Sequence, residues 1–323
     1  MNIFLDILLL LVGFVLLVKG ADFFVDGAAS LAKKLKIPSL VVGLTIVAMG
    51  TSAPELAVSI SASCSGSNSM AVSNVVGSNI FNLLVVLGVC ALIKPVGVTT
   101  EALKRDFPVA IGTSVLFFVF LLLNNDIGRI EAGVLILLMI GYMIWTVKSA
   151  LKSRAADKEE PTEKFNPIKC ALFIILGAAA IVFGGNLVVE HASNLGEAIG
   201  MSETLIGLTI CAIGTSLPEL VTSITAAKKG ETDMAVGNVI GSNIFNILMI
   251  LGLSGVISPI TLVPIEVTKT VVDTIYLIVV SILTYIFCFT GKKISRVEGG
   301  IITLLYAGYT AFAIMRDTGV IVI

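Results

Sequence analysis

The sequence predicts an all-α integral membrane protein of ten transmembrane helices, built as two inverted five-helix repeats. Three observations carry this. The chain is 56% hydrophobic and 13% charged, with mean hydropathy +1.04, whereas soluble domains carry about 25% charged residues. Its apolar stretches have the length of bilayer spans, about 20 residues each. The chain also repeats itself: residues 43–88 laid on 207–252 without a gap agree at 29 of 46 positions. Self-similarity of this kind fixes an architecture before any single element is read.

In chain order, the first half (1–147) holds apolar spans at 2–19, 39–63, 70–93, 107–124 and 128–147. No basic region precedes residues 2–18, so they are read as the first span and not as a cleaved signal peptide. Residues 148–167 are the long polar segment, mixing Lys148, Lys152, Arg154, Lys158 and Lys164 with Asp157, Glu159, Glu160 and Glu163; they read as a solvated linker. The second half (168–323) repeats the pattern at 168–189, 204–227, 234–257, 271–290 and 297–315. The spans that carry the repeated motifs are the least apolar, as broken helices should be.

Basic residues set the orientation, because they collect on the cytoplasmic side. With the amino terminus outside, 18 Lys and Arg fall inside, from Lys19, Lys33 and Lys34 to Lys292, Lys293 and Arg296. Only Arg129, Lys269 and Arg316 fall outside. The reading is a multi-pass protein of the cell membrane with both termini outside and the linker in the cytoplasm. Five spans is an odd number, so the second repeat enters upside down. Secondary transporters share that architecture and place their site near the midplane between the repeats.

Two strings dominate each repeat. Gly50-Thr51-Ser52-Ala53-Pro54-Glu55-Leu56 returns as Gly214-Thr215-Ser216-Leu217-Pro218-Glu219-Leu220, and Gly77-Ser78-Asn79-Ile80-Phe81-Asn82 returns as Gly241-Ser242-Asn243-Ile244-Phe245-Asn246. Both pairs are offset by 164 residues. A carboxylate at bilayer depth is costly and marks an ion or substrate path. Glycine and proline open the helix beside it and free carbonyls, which is tolerated where they line a cavity. Helical spacing puts Thr51, Ser52, Glu55 and Ser59 on one stripe, with Thr215, Ser216, Glu219 and Ser223 as its twin. Asn74, Ser78 and Asn82 form another stripe, twinned by Asn238, Ser242 and Asn246.

If the halves face each other, these stripes meet in a pocket of carboxylates, hydroxyls, amides and carbonyls, without sulfur or imidazole. Such a pocket suits calcium, or sodium, which is similar in size; softer metals prefer His or Cys. Plainer roles go to the neighbours. Ser59, Ser61, Ser223 and Thr225 read as glue between helices. Asn79 and Asn243 read as bonding between helices, Asp22, Asp26 and Glu190 as solvated, and His191, aligned with Gly27, as a surface residue. The five scattered cysteines read as small apolar packing.

At these motifs the chain resembles the cation/calcium exchanger superfamily, in its compact prokaryotic form with a short linker. The resemblance spans the whole chain. It implies a secondary active antiporter that exchanges sodium for calcium by alternating access, exporting calcium on the inward sodium gradient. By motif position, it implies that calcium is held by Glu55 and Glu219 with backbone oxygens of Thr51 and Thr215. Sodium would use the same glutamates with Ala48, Ser52, Ser78, Asn82, Ala212, Ser216, Ser242 and Asn246. The first and sixth helices would slide on the rest, helped by Gly13, Gly20, Gly177, Gly184 and Gly185. Potassium-dependent relatives carry aspartate where this chain has Asn246, which argues against potassium. The implied partners are the lipid bilayer and the two transported ions, with no nucleic acid, no legible protein partner and no resident cofactor.

Two other transport readings stand beside this. Proton/calcium exchange, or exchange of another divalent ion, would need Glu55 and Glu219 to carry the proton; relatives that do so place a histidine beside the glutamate, where this chain has Leu56 and Leu220. A passive channel would show rings about an axis, which two inverted halves do not form. An enzyme is not expected: the chain lacks His-Glu-x-x-His, a nucleophile elbow and paired aspartates on facing helices.

Overall fold

The computed structural model describes residues 3–124, 126–154, 166–201, 210 and 212–321. Most of the linker (155–165), the start of the seventh predicted span (204–209) and Cys211 lie outside the described residues. The first half contains α1 (Ile3–Leu35), α2 (Ser39–Thr51), α3 (Ala53–Cys64), α4 (Asn68–Ile93), α5 (Ala102–Leu123) and α6 (Arg129–Arg154). The second contains α7 (Pro167–Ala198), α8 (Ala212–Gly214), α9 (Leu217–Lys228), α10 (Thr232–Ile257), α11 (Pro264–Gly291) and α12 (Arg296–Asp317). Among the described residues, eight helices are long and apolar enough to cross a bilayer, or nine if the bent pair α2–α3 is one span.

α4 and α10 form the centre, with 72% and 78% of their apolar windows buried, against 11–33% for the other candidate spans. Around them lies a large apolar core that includes Val72, Ile80, Leu84 and Leu87 of α4, Phe107 and Phe117 of α5, and Val239, Ile244 and Leu248 of α10. A second, smaller core joins α1 and α7 to α2 and the start of α10 through Leu17, Phe24, Ile181, Val188, Val42, Val47 and Met234. The outward faces of the peripheral helices carry exposed apolar side chains such as Phe4, Leu137, Ile175 and Leu304, which suits a lipid solvent.

α1 and α7 are 33 and 32 residues long. At 1.5 Å per residue each measures about 50 Å, well beyond a ~30 Å hydrocarbon layer. The first and sixth spans therefore run much farther than the 2–19 and 168–189 expected, and Lys19 lies inside α1, not at its end. The two helices pack antiparallel. A Cβ on Gly13 would come within 2.9 Å of the Gly184 carbonyl, and one on Gly20 within 2.9 Å of the Gly177 carbonyl. Only glycines allow backbones to approach this closely. The same register brings Cys170 Sγ to the Gly27 carbonyl at 3.3 Å and His191 to Asp6.

His191 is therefore not a surface residue. It is 7% exposed, its Nδ1 lies 2.8 Å from Asp6 Oδ1, and Asn194 Nδ2 donates to the same oxygen at 2.9 Å. Alignment with Gly27 misread it because its partner is set by the antiparallel contact, not by the repeat. Asp22 and Asp26 are also engaged: Lys229 Nζ lies 3.5 and 2.7 Å from their carboxylates. Ser61, expected as glue, is exposed.

Two short antiparallel ladders tie the halves together. β1 (Val96–Gly97) pairs with β4 (Lys293–Ile294), and β2 (Asp126–Ile127) pairs with β3 (Ile260–Thr261). Each ladder joins the segment after a central helix of one half to the hairpin between the last two helices of the other. Val96, Ile127, Ile260 and Ile294 are all buried there.

Candidate functional site

The site begins at a break in the backbone. α2 ends at Thr51, and α3 starts at Ala53 with an axis bent by 48°. Ser52 sits between them at φ −81°, ψ 10°, the sparsely used region between helix and strand. Pro54 has no N–H, so the Gly50 carbonyl loses its helical donor. In the second half Ser216 holds the same place at φ −93°, ψ 5°, ahead of Leu217 and Pro218. Each break gathers carbonyls from one helix end and N–H groups from the next. Phe24 of α1 lies against Gly50, and Val189 of α7 against Gly214.

The helices that carry the other motif behave differently. α4 and α10 are continuous, not broken; each contains a wide π-turn, Asn82–Val86 and Asn246–Ile250, as α2 does at Gly43–Val47. Single π-turns recur at functional sites. Those of α4 and α10 start at the asparagine that ends the repeated string.

These elements bring the two glutamates together with Ser52, Ser78, Ser216 and Ser242, while Asn82 and Asn246 bond to Asn243 and Asn79. Glu55 and Glu219 are fully buried, as are Ala48, Thr51, Ser52, Ser216, Ser242, Asn82 and Asn246, with Ser78 at 2% exposure. Ser216 Oγ donates to Glu55 Oε1 at 2.9 Å, and Ser52 Oγ donates to Glu219 Oε1 at 2.8 Å. Each carboxylate is thus held by a serine of the opposite half. Its own half adds a longer bond: Ser78 Oγ to Glu55 Oε1 and Ser242 Oγ to Glu219 Oε1, both 3.4 Å. Ser216 Oγ also reaches Ser78 Oγ at 3.1 Å.

Asn74 and Asn238, expected in the stripes, serve as braces. Asn74 Nδ2 donates to the Glu55 carbonyl at 3.2 Å and to Ser59 Oγ at 2.9 Å. Asn238 Nδ2 donates to the Glu219 carbonyl at 3.4 Å and to Ser223 Oγ at 2.9 Å. Thr51 Oγ1 donates to Asn238 Oδ1 at 3.1 Å and lies 3.3 Å from the Ala48 carbonyl. Thr215 breaks the pattern, since its buried hydroxyl has no partner. Ala212 opens α8; its side chain lies outside the described residues.

Four acceptor atoms are left over. Glu55 Oε2, Glu219 Oε2, Asn82 Oδ1 and Asn246 Oδ1 are buried and accept no hydrogen bond. Buried polar atoms are nearly always paired, and each exception needs a reason. No ion pair among the described residues includes Glu55 or Glu219. Ionised, the two carboxylates would be buried negative charges without a counter-charge, a costly state unless a cation joins them. No group of three or more His, Cys, Asp or Glu is placed to hold a metal ion among the described residues. A cation here would meet two carboxylates and otherwise neutral oxygen, which suits calcium or a similar hard ion.

Comparison with known proteins agrees with this chemistry. The family described as sodium/calcium exchanger protein matches residues 5–148 and 169–315. The sodium/calcium exchanger MaX1 of Methanosarcina acetivorans is 37% identical over 342 residues, covering 94% of this chain and 97% of its own. The inner membrane protein YrbG of Escherichia coli is 35% identical over 318 residues, covering 95% of each. Among solved structures, the sodium-calcium exchanger NCX_Mj soaked with sodium and strontium superposes with a TM-score of 0.84 at 31% identity, over 96% of this chain and 99% of that one. With its buried, cross-bonded glutamates, doubled motif and full-length matches, the chain belongs to the sodium/calcium exchanger family, as a compact prokaryotic-type member of the cation/calcium exchanger superfamily.

Proposed function

We propose that this chain is a secondary antiporter that exchanges sodium for calcium through the chamber between its halves, exporting calcium on the inward sodium gradient. The observation that carries the reading is the set of four unpaired buried oxygens, Glu55 Oε2, Glu219 Oε2, Asn82 Oδ1 and Asn246 Oδ1. Calcium takes Glu55 and Glu219 with the backbone oxygens of Thr51 and Thr215. Sodium uses the glutamates with Ala48, Ser52, Ser78, Asn82, Ala212, Ser216, Ser242 and Asn246. An empty chamber leaves two carboxylates repelling each other, so the protein changes sides when loaded. That is the physical origin of exchange in place of leak.

The proposed architecture is ten spans in two inverted repeats, 1–147 and 168–323, joined by a cytoplasmic linker at 148–167, with both termini outside. Two observations support it. The repeat-related helices α1 and α7 run antiparallel, as an inverted pair must. The ladders also support it. One membrane crossing, α5, separates β1 from β2, and another, α11, separates β3 from β4. With inverted halves, β1 lies on the same side as β4 and β2 on the same side as β3, which are the pairs that form. With parallel halves each ladder would have to bridge the bilayer. Alternating access is assigned to α1 and α7, whose core is separate from the central one, sliding past the breaks at Gly50 and Gly214.

The test is uptake of calcium-45 into sodium-loaded proteoliposomes diluted into sodium-free medium, with a parallel pH gradient. Uptake driven by the sodium gradient supports the proposal. Uptake driven by the pH gradient alone contradicts it.

A further inference from the structure

Four asparagines cross between the central helices, and their bonding has a direction. Asn79 Nδ2 donates to the Asn243 carbonyl at 3.1 Å, and Asn243 Nδ2 donates to the Asn79 carbonyl at 3.2 Å. A carbonyl oxygen accepts only from an N–H, so these two side chains cannot turn over. Their Oδ1 atoms must point the other way. There they meet the remaining pair: Asn82 Nδ2 donates to Asn243 Oδ1 at 3.1 Å, and Asn246 Nδ2 donates to Asn79 Oδ1 at 3.0 Å. This fixes the second pair in turn. Asn82 and Asn246 give their N–H groups to the opposite half and leave Oδ1 unpaired and buried.

We infer that Asn79 and Asn243 are positioning residues: each sets the amide orientation of the ion-site asparagine across the interface, Asn246 and Asn82 respectively, so that oxygen and not NH2 faces the chamber. This deepens the proposed function and rests on it. An amide can present either a donor or an acceptor, and a flipped amide would aim two N–H groups at a cation. Neither half orients its own asparagine: Asn79 gives Nδ2 to the Asn243 carbonyl and Oδ1 to Asn246, and Asn243 gives Nδ2 to the Asn79 carbonyl and Oδ1 to Asn82. Each half therefore completes the sodium site of the other.

The test is a double-mutant cycle read by sodium and calcium titration of the purified full-length protein. Asn243→Ala removes the acceptor for Asn82 and should raise the sodium half-saturation concentration about ten-fold, with calcium binding changed by less than about two-fold. In an Asn82→Asp background both side-chain termini are oxygen, so orientation no longer matters. There Asn243→Ala should not weaken sodium binding relative to Asn82→Asp alone, and a gain is also expected, because Asn243 Oδ1 would face a carboxylate oxygen in place of the N–H it now accepts from. The same fold-loss in both backgrounds, or no loss in the wild-type background, overturns the inference. Asn79→Ala with Asn246→Asp repeats the cycle from the other half if one variant is unstable. If the wild-type protein binds no sodium, the proposed function itself fails. If it binds sodium but the cycle is additive, only the positioning role fails.

Discussion

At the scale of the residue, the site is defined by what it lacks. Glu55 and Glu219 are fully buried and have hydroxyl donors, but no cationic partner among the described residues. Glu55→Gln keeps the shape and one oxygen while removing the charge. Calcium half-saturation should rise about 100-fold or more, about 3 kcal/mol, measured by calcium titration. The same variant should melt no lower than wild type in ion-free buffer, because it relieves repulsion in the empty chamber, and it should lose the calcium-induced rise in melting temperature. A melting temperature well below wild type without ions would instead give Glu55 a structural role. Thr51 and Thr215 make a second contrast. Thr51→Val removes the bond to Asn238 and should destabilise by about 1 kcal/mol. Thr215→Val removes an unpaired buried hydroxyl and should not destabilise, and both should still bind calcium if the ligands are backbone oxygens. The i, i+4 stripes around both glutamates were legible in the sequence because helical spacing alone aligns them. The cross-bonding of Ser52 with Glu219 and of Ser216 with Glu55 was not, since spacing within one helix says nothing of which half supplies the donor.

At the scale of the element, the two motifs use different devices. Pro54 and Pro218 announce the helix breaks in the sequence. The π-turns at Asn82 and Asn246 have no such signal, because Asn-Leu-Leu-Val-Val and Asn-Ile-Leu-Met-Ile read as ordinary apolar helix. The length of α1 and α7 was also hidden. Lys19, Asp22 and Asp26 look like a helix end until the packing against α7 and Lys229 is known. The glycine contacts between these helices yield a clean comparison. Gly20→Ala would place a Cβ 2.9 Å from the Gly177 carbonyl and must push α1 from α7. In proteoliposomes it should slow exchange about ten-fold, ~1.4 kcal/mol on the barrier, with little change in calcium affinity at equilibrium. Gly141→Ala on α6 meets nothing within 4 Å and should leave the rate unchanged. Equal effects from the two would remove α1 from the moving part.

At the scale of the whole molecule, the duplication made the doubled motifs legible, and the odd number of spans read in each repeat is what leads to the proposed inversion. The ladders that clamp the halves were not foreseen, since two-residue strands have no periodicity to detect. They give the proposed inversion a direct test. Lys293 of β4 and Thr261 of β3 are both exposed. In a background with the exposed Cys64 replaced by serine, Lys293→Cys and Thr261→Cys should react with a membrane-impermeant maleimide from opposite sides of the bilayer. Labelling of both from one side would dismantle the inverted arrangement. The central claim is narrower: a single chamber holds sodium and calcium in turn. The most direct measurement is equilibrium calcium-45 binding to the purified protein across a sodium titration, with Glu55→Gln plus Glu219→Gln as the blank. The account predicts that sodium expels calcium competitively and steeply, with no specific binding in the blank. Calcium that stays bound at saturating sodium, or binds the blank as well as the wild type, would contradict it.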